Sequence, residues 1–222
     1  MKVRFIKKCT DTPTKRMMEI GDVIDVDDER GCLLIEKGYA AEEVTRIPIF
    51  LSYPRPHQKT QAKFLDAMKK DLLNKTNLYP RTLGVTDFYQ EPPLIAISKI
   101  MSECCGLLIV ALKQTLIVRG EFRANGDNDL ESFSIENKWI TSPFCHVEPA
   151  MALQISLPVF ILRDKDVIQD GVLDNGVVGA YISKVDLSSS ANDYFQSQEW
   201  NQLLEKWAAQ VREFAEKRES EL

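Results

Sequence analysis

Histidine is scarce in this chain: His57 and His146 are the only two in 222 residues. A histidine-based metal centre or a Ser-His-Asp triad therefore has little to draw on. No Gly-x-Gly-x-x-Gly and no P-loop occurs, so neither a hydride-transfer Rossmann site nor an NTPase is supported. No apolar run reaches the roughly 18–20 residues of a membrane span, and Met1 to Lys8 lacks the long apolar core of a signal peptide. The net charge is -5 with no basic stripe, which argues against nucleic-acid binding. Five cysteines is an odd number without metal-like spacing; reduced thiols in a cytoplasmic protein are the simple reading, with Cys104-Cys105 expected in a helix. Neither internal repeats nor low-complexity segments are present.

What remains is 44% hydrophobic and 27% charged, a soluble globular composition. The length suits one ordinary domain plus an appendage. Residues 1–44 read as that appendage, a small α+β subdomain with strands at Lys2–Lys7 and Val23–Val26. Asp27-Asp28-Glu29 then starts a helix with Leu33, Leu34 and Ile35 inside, stopped by Gly38. From Arg46 the pattern becomes strand-helix repeated, so 46–222 form the main domain. Strands are expected at 47–53, 82–88, 106–112, 157–162 and 177–187, the last with Ala180, Ile182 and Val185 in the core. Helices are expected at 58–74, with Phe64, Leu65, Met68, Leu72 and Leu73 on one face, and at 94–104, with Ile97, Ile100 and Met101 buried. Gly120 to Thr141, including Asn125 to Asp129, reads as a long polar loop, the kind that often serves as a lid or partner surface. Trp200, Leu203, Leu204, Trp207, Val211 and Phe214 form a helical stripe, suited to core packing or to a partner groove. The order predicts an α/β fold: a flavodoxin-like parallel five-stranded sheet with helices on both faces.

The rest is organised around Ser142-Pro143-Phe144-Cys145-His146-Val147-Glu148-Pro149-Ala150-Met151-Ala152-Leu153 and the apolar run 157–162 after it. Ser142-Pro143 is a helix start. Val147, Ala150, Met151 and Leu153 are expected inside. Glu148 is anomalous among them, since a carboxylate that is buried needs partners. It is either a site residue at the strand-end crevice or an acid placed early in a helix to suit the dipole.

Ser-x-x-Cys-x-x-Glu opening a helix resembles the catalytic-glutamate motif of bacterial TIR-like domains, with Phe144 where many have tryptophan. Ile49-Phe50-Leu51-Ser52-Tyr53 is similar to the first TIR strand. Glu-Pro-Ala-x-Ala-Leu-x-x-x-Leu-Pro-Val also resembles nucleoside 2-deoxyribosyltransferase-like domains. Both families attack an N-glycosidic bond with a glutamate. The N-terminal pattern resembles small domains common in phage and prophage proteins, with no chemistry to carry over.

The resemblance implies an NAD+ glycohydrolase or cyclase, plausible in bacterial antiphage defence. It implies Glu148 as the catalytic carboxylate, NAD+ or a related nucleotide as substrate and no resident cofactor or metal. It further implies self-association and a phage-derived trigger or downstream effector as partners. Ligands of open α/β sheets lie over the carboxyl ends of the strands. That edge is expected to collect Ser52, Tyr53, Arg55 and Phe88 with Ser142 and Cys145 as substrate-binding residues. Trp139 would stack on a base or staple the helix entry. Cys145 reads as packing more readily than as a nucleophile, and His146 as a helix-surface residue more readily than as a base. Two other readings stay open: a deoxyribosyltransferase-like enzyme with Glu148 as covalent nucleophile, and a non-enzymatic TIR-like interaction module.

Overall fold

The computed structural model describes residues 1–43, 46–127, 131–179 and 181–221. They fall into two compact units, Met1–Arg46 and Ile47–Leu222. Ala180, and Asn128 and Asp129 of the polar stretch, lie outside the described residues.

The first unit contains β1 (Lys2–Phe5), β2 (Cys9–Thr10), β3 (Met17–Met18), β4 (Val23–Asp25), α1 (Asp28–Glu36) and β5 (Ala40–Glu42). β1 lies between β4 and β5 in an antiparallel sheet, and β2 pairs with β3. Alternation in β1 turns Val3 and Phe5 inward and Lys2 and Arg4 outward, as a half-buried strand requires. The Asp27 carboxylate accepts from the Arg30 N–H at 2.8 Å and caps α1. Leu34 and Ile35 pack against Val3, Val26 and Ala40, but Leu33 faces solvent. Three consecutive helical residues span about 200°, so they cannot all share one narrow inner face.

The second unit runs β6 (Ile47–Ser52), α2 (Lys59–Lys75), β7 (Leu78–Arg81), α3 (Pro93–Glu103), β8 (Leu107–Ala111), β9 (Thr115–Phe122), β10 (Phe133–Ile140), α4 (Phe144–Gln154), β11 (Val159–Asp164), β12 (Ile182–Val185), α5 (Ala191–Gln196) and α6 (Gln198–Ser220). Five strands form one parallel sheet in the order β12-β11-β8-β6-β7. This is the flavodoxin-like arrangement. β8 is central and all its residues are buried. Its Leu108 and Val110 join a core that holds Phe64, Met68, Trp200 and Trp207 of α2 and α6. Its Leu107, Ile109 and Ala111 join the core on the other face, with Ile97 and Ile100 of α3 and Cys145 and Ala152 of α4. The C-terminal stripe is thus core: Trp200, Leu204, Trp207 and Val211 are buried.

Several elements differ from the sequence expectation. The second strand is Leu78–Arg81, not 82–88. Proline is tolerated there because β7 is the sheet edge. Residues 82–88 form a turn instead, in which the Thr82 carbonyl accepts from Val85, Thr86 and Asp87 and Gly84 takes φ +74°. The stretch expected as a loop up to Thr141 is largely the antiparallel hairpin β9–β10, in register from Phe133↔Phe122 to Ile140↔Thr115. Its alternation is blurred in sequence because Ile117 falls on the polar side of β9 and Gly120 and Asn137 stand at apolar positions of β9 and β10. Cys104 and Cys105 are not helical: Cys104 caps α3 and the Cys105 N–H donates to the Pro48 carbonyl at 2.8 Å. Leu73 points outward, one residue round from buried Leu72. No helix among the described residues is long and apolar enough to cross a membrane.

Ile109→Ala is expected to cost about 2–5 kcal/mol, because the residue is fully buried in the central strand; chemical denaturation of the two proteins measures it. A chain begun at Ile47 is expected to melt cooperatively, since both large cores lie wholly beyond that residue. Loss of a cooperative transition in that truncated chain would refute the independence of the second unit.

Candidate functional site

β6 ends at buried Ser52, and Tyr53, Pro54 and Arg55 follow at the carboxyl edge of the sheet. The loop after them is tied by Gln61, a fully buried polar side chain of α2. Its Oε1 accepts from the N–H groups of His57 at 3.0 Å and Gln58 at 3.2 Å. Its Nε2 donates to the Lys113 carbonyl at 2.9 Å, just past β8. A satisfied buried amide of this kind fixes two strand ends relative to each other.

The hairpin returns the chain to the same edge at Thr141 and Ser142, both buried. Ser142 Oγ accepts from the Phe144 N–H at 3.3 Å, and Pro143 is already helical with φ -53° and ψ -30°. α4 then buries Cys145, Glu148, Pro149 and Ala152. This corrects the expected inner face: Val147, Ala150 and Leu153 point outward and Met151 is half-buried. The spacing 145, 148, 149, 152 is a regular three- and four-residue stripe, and it carries Glu148 inward instead of leaving it among outward neighbours.

Glu148 is only 5% exposed, and its Oε2 is buried without a hydrogen-bond partner. Burial pushes its pKa up from the usual carboxylate range to about 7, with a hydrogen bond from Ser52 acting the other way. Cys145 lies fully buried beside it, with Thr141 Oγ1 donating to Sγ at 3.5 Å. Burial drives that thiol up to about 12, which leaves it protonated and unsuited to nucleophilic attack.

Ser52, Tyr53, Arg55, Ser142 and Glu148 line one cleft of about 390 Å³. Leu83, Ile97, Gln114 and Phe144 line it too; no motif in the sequence singles out Gln114, and its place in the short link between β8 and β9, past the carboxyl end of the central strand, is the one signal that points to it. Arg55 is the one cation in the lining among the described residues, and it is exposed. Phe88, Trp139 and Cys145 do not line the cleft. Phe88 is exposed on the turn beyond β7. Trp139 lies in β10 beside a separate groove of about 640 Å³ with Lys138 and the 165–169 segment; its carbonyl accepts from the Ile168 N–H at 2.8 Å. Cys145 sits in the core beneath the cleft. His146 is half-buried, with Nε2 3.8 Å from an Asp170 oxygen.

A larger cavity, about 770 Å³, lies between α6 and the start of β11, lined by Trp207, Phe214, Lys206 and Arg218. It is at the opposite end of the strands from Glu148. The cleft of Glu148 is the stronger site candidate because it lies at the carboxyl edge of a parallel sheet and holds a perturbed acid. The fold and the cleft thus define a flavodoxin-like α/β domain with a buried carboxyl at its strand-end crevice. Comparison of the chain with family models and with curated proteins gives no match.

The raised pKa has a signed consequence for stability. The folded protein retains a proton on Glu148 that the unfolded chain releases near pH 4.5, the ordinary value. The resulting stabilisation is complete below that pH and is lost as pH rises through about 7. Glu148→Gln cannot ionise, so it is expected to gain on the wild type between pH 5 and pH 8, by at most about 3 kcal/mol. Thermal melts of both proteins across that range measure the change; a pH-independent difference would refute the buried acid.

Proposed function

We propose that the second unit cleaves the N-glycosidic bond between nicotinamide and ribose in NAD+, as a glycohydrolase or cyclase. The observation that carries this reading is Glu148: a carboxyl lining the strand-end cleft with one oxygen left unpartnered. Such a group costs stability where it stands, a cost that function accounts for. Resemblance of the motifs around Ser52 and Glu148 to bacterial TIR-like domains supports the same bond type and extends the reading to antiphage defence. Five free thiols suit a reducing, cytoplasmic setting.

The chemistry follows from the bond. Nicotinamide departs neutral from a cationic pyridinium, so its departure needs no general acid. The ribose becomes oxocarbenium-like, and a carboxylate facing it stabilises the developing charge. Glu148 supplies that carboxylate in its ionised form, with Ser52 as hydrogen-bond donor. Arg55 at the rim suits a phosphate, and Phe144, exposed in the lining, offers a ring to an aromatic base. Water completes hydrolysis; the adenine of the same molecule completes cyclisation.

Glu148→Gln preserves size and removes the charge. Nicotinamide release from NAD+ is expected to fall on the order of a hundred- to a thousandfold, the usual loss for one well-placed electrostatic contact. Chromatography of the products across a series of protein concentrations tests this and reveals any dependence on self-association. Equal turnover in wild type and variant would refute the assignment.

A further inference from the structure

Among the described residues Glu148 has no counter-ion, as the elements packed around α4 show one by one. From β6 comes the Ser52 hydroxyl; from the hairpin end come the hydroxyls of Thr141 and Ser142. From α4 itself comes the neutral Cys145 thiol. The charges of α3 are engaged elsewhere: Lys99 with Glu91, and Glu103 with Arg81. Beyond β8, Lys113 is held by Asp164 and Asp166. On the β11 side, Arg163 donates to the Val167 carbonyl and to Gln169, and His146 faces Asp170. Tyr53 of the lining receives a hydrogen bond from Lys69 at 3.0 Å. Arg55, the remaining charge in the lining, is exposed to solvent.

We propose that the ligand of this cleft brings its own positive charge to Glu148, as a flat aromatic cation, and that its binding drives the Glu148 proton into solvent. The inference rests on Glu148 facing the substrate, as in the function proposed above, and adds the charge of the ligand and the proton balance of binding. A neutral ring would leave a buried carboxylate with the Ser52 hydrogen bond but no opposite charge, or would meet a neutral acid with no charge to use. A cation forms the missing pair with a carboxyl that is itself buried, where such pairing is stronger than in bulk water. The walls suit a flat ring, being Leu83, Ile97 and Phe144 in a cleft of about 390 Å³, within the range of small-ligand sites. Below about pH 7 the carboxyl of the empty cleft is mostly protonated, and it gives up that proton as the cation arrives; above that pH the pair forms with little proton release.

The test uses the full chain and two probes without a glycosidic bond: 1-methylnicotinamide, a cation, and nicotinamide, its neutral counterpart. Binding is followed by calorimetry in buffers of different ionisation enthalpy. Affinity for the cation is expected to rise close to tenfold per pH unit below about pH 7, to level off above it, and to release up to one proton. Nicotinamide should bind more weakly at pH 8 and without this slope. Glu148→Gln should abolish the slope. In wild type, the carboxyl carbon resonance of Glu148 should titrate at lower pH with the cation present, which keeps the test independent of the variant's folding. Equal affinity for both probes, an unchanged Glu148 titration, or no binding of the cation at pH 8 would overturn the proposal. Cation binding with proton release but no cleavage of NAD+ would uphold it and dismiss the glycohydrolase reading instead.

Discussion

The constraint from which the structure follows is the burial of β8 on both faces. Leu107–Ala111 carries no polar side chain and leaves none of its residues to solvent. A strand of that kind needs apolar cover above and below, and alternate residues divide between two cores. α2 and α6 supply one cover, α3 and α4 the other. With β8 in the middle, β6 and β11 must flank it, and their carboxyl ends meet at one edge. That edge is where the chain direction diverges on either side of the centre, so it is where a crevice opens.

α4 fills part of that crevice at an energetic cost. Its inner stripe mixes Cys145, Pro149 and Ala152, which pack, with Glu148, which does not belong in an apolar wall. Burial is the main reason the carboxyl resists ionisation. A leucine there would be the simpler answer to packing. Polar groups elsewhere in the interior of this unit are better served: Gln61 satisfies two backbone donors and one carbonyl, and Asp71 accepts from the Trp200 indole at 2.6 Å. The contrast singles out Glu148 more firmly than its presence in a cleft does. Arg163 and Asp164 at the end of β11 also keep one atom each without a partner, but Asp164 has the Lys113 ammonium at 3.6 Å and Arg163 has the carboxylates of Asp164, Asp170 and Asp174 nearby, whereas Glu148 has only the Ser52 hydrogen bond.

The chemistry of the edge depends on segments that the sheet itself does not fix. The loop from Tyr53 to Gln58 is stiffened by Pro54 and Pro56 and anchored through Gln61. The hairpin β9–β10 leads directly into Thr141 and Ser142, so its register sets where α4 begins. Trp139, which the sequence offers for stacking or stapling, braces the hairpin base to the loop after β11 through the Ile168 hydrogen bond. Its place in the hairpin strand removes it from the ring of residues around Glu148.

By itself, the sequence determined the class of fold, the central position of the Gly106–Leu112 run, and the anomaly of Glu148. These are properties of local pattern: continuous apolar runs mean strands buried on both sides, and strand-helix alternation means parallel pairing. Five of the expected site residues also converge, because Ser52, Tyr53, Arg55, Ser142 and Glu148 are placed by strand ends and a helix start, which motifs mark well. Tertiary structure alone decided the rest. The second strand lies at Leu78–Arg81 because an edge tolerates Pro80, and edge position is a property of the assembled sheet. The stretch before Thr141 is a hairpin because cross-strand pairs such as Phe122 with Phe133, 4.8 Å between ring centres, form only once the two strands meet. The inner face of α4 is the Cys145–Ala152 stripe because the neighbouring sheet and α3 select which side of a nearly evenly apolar helix is covered, a choice that no periodicity within those eleven residues encodes.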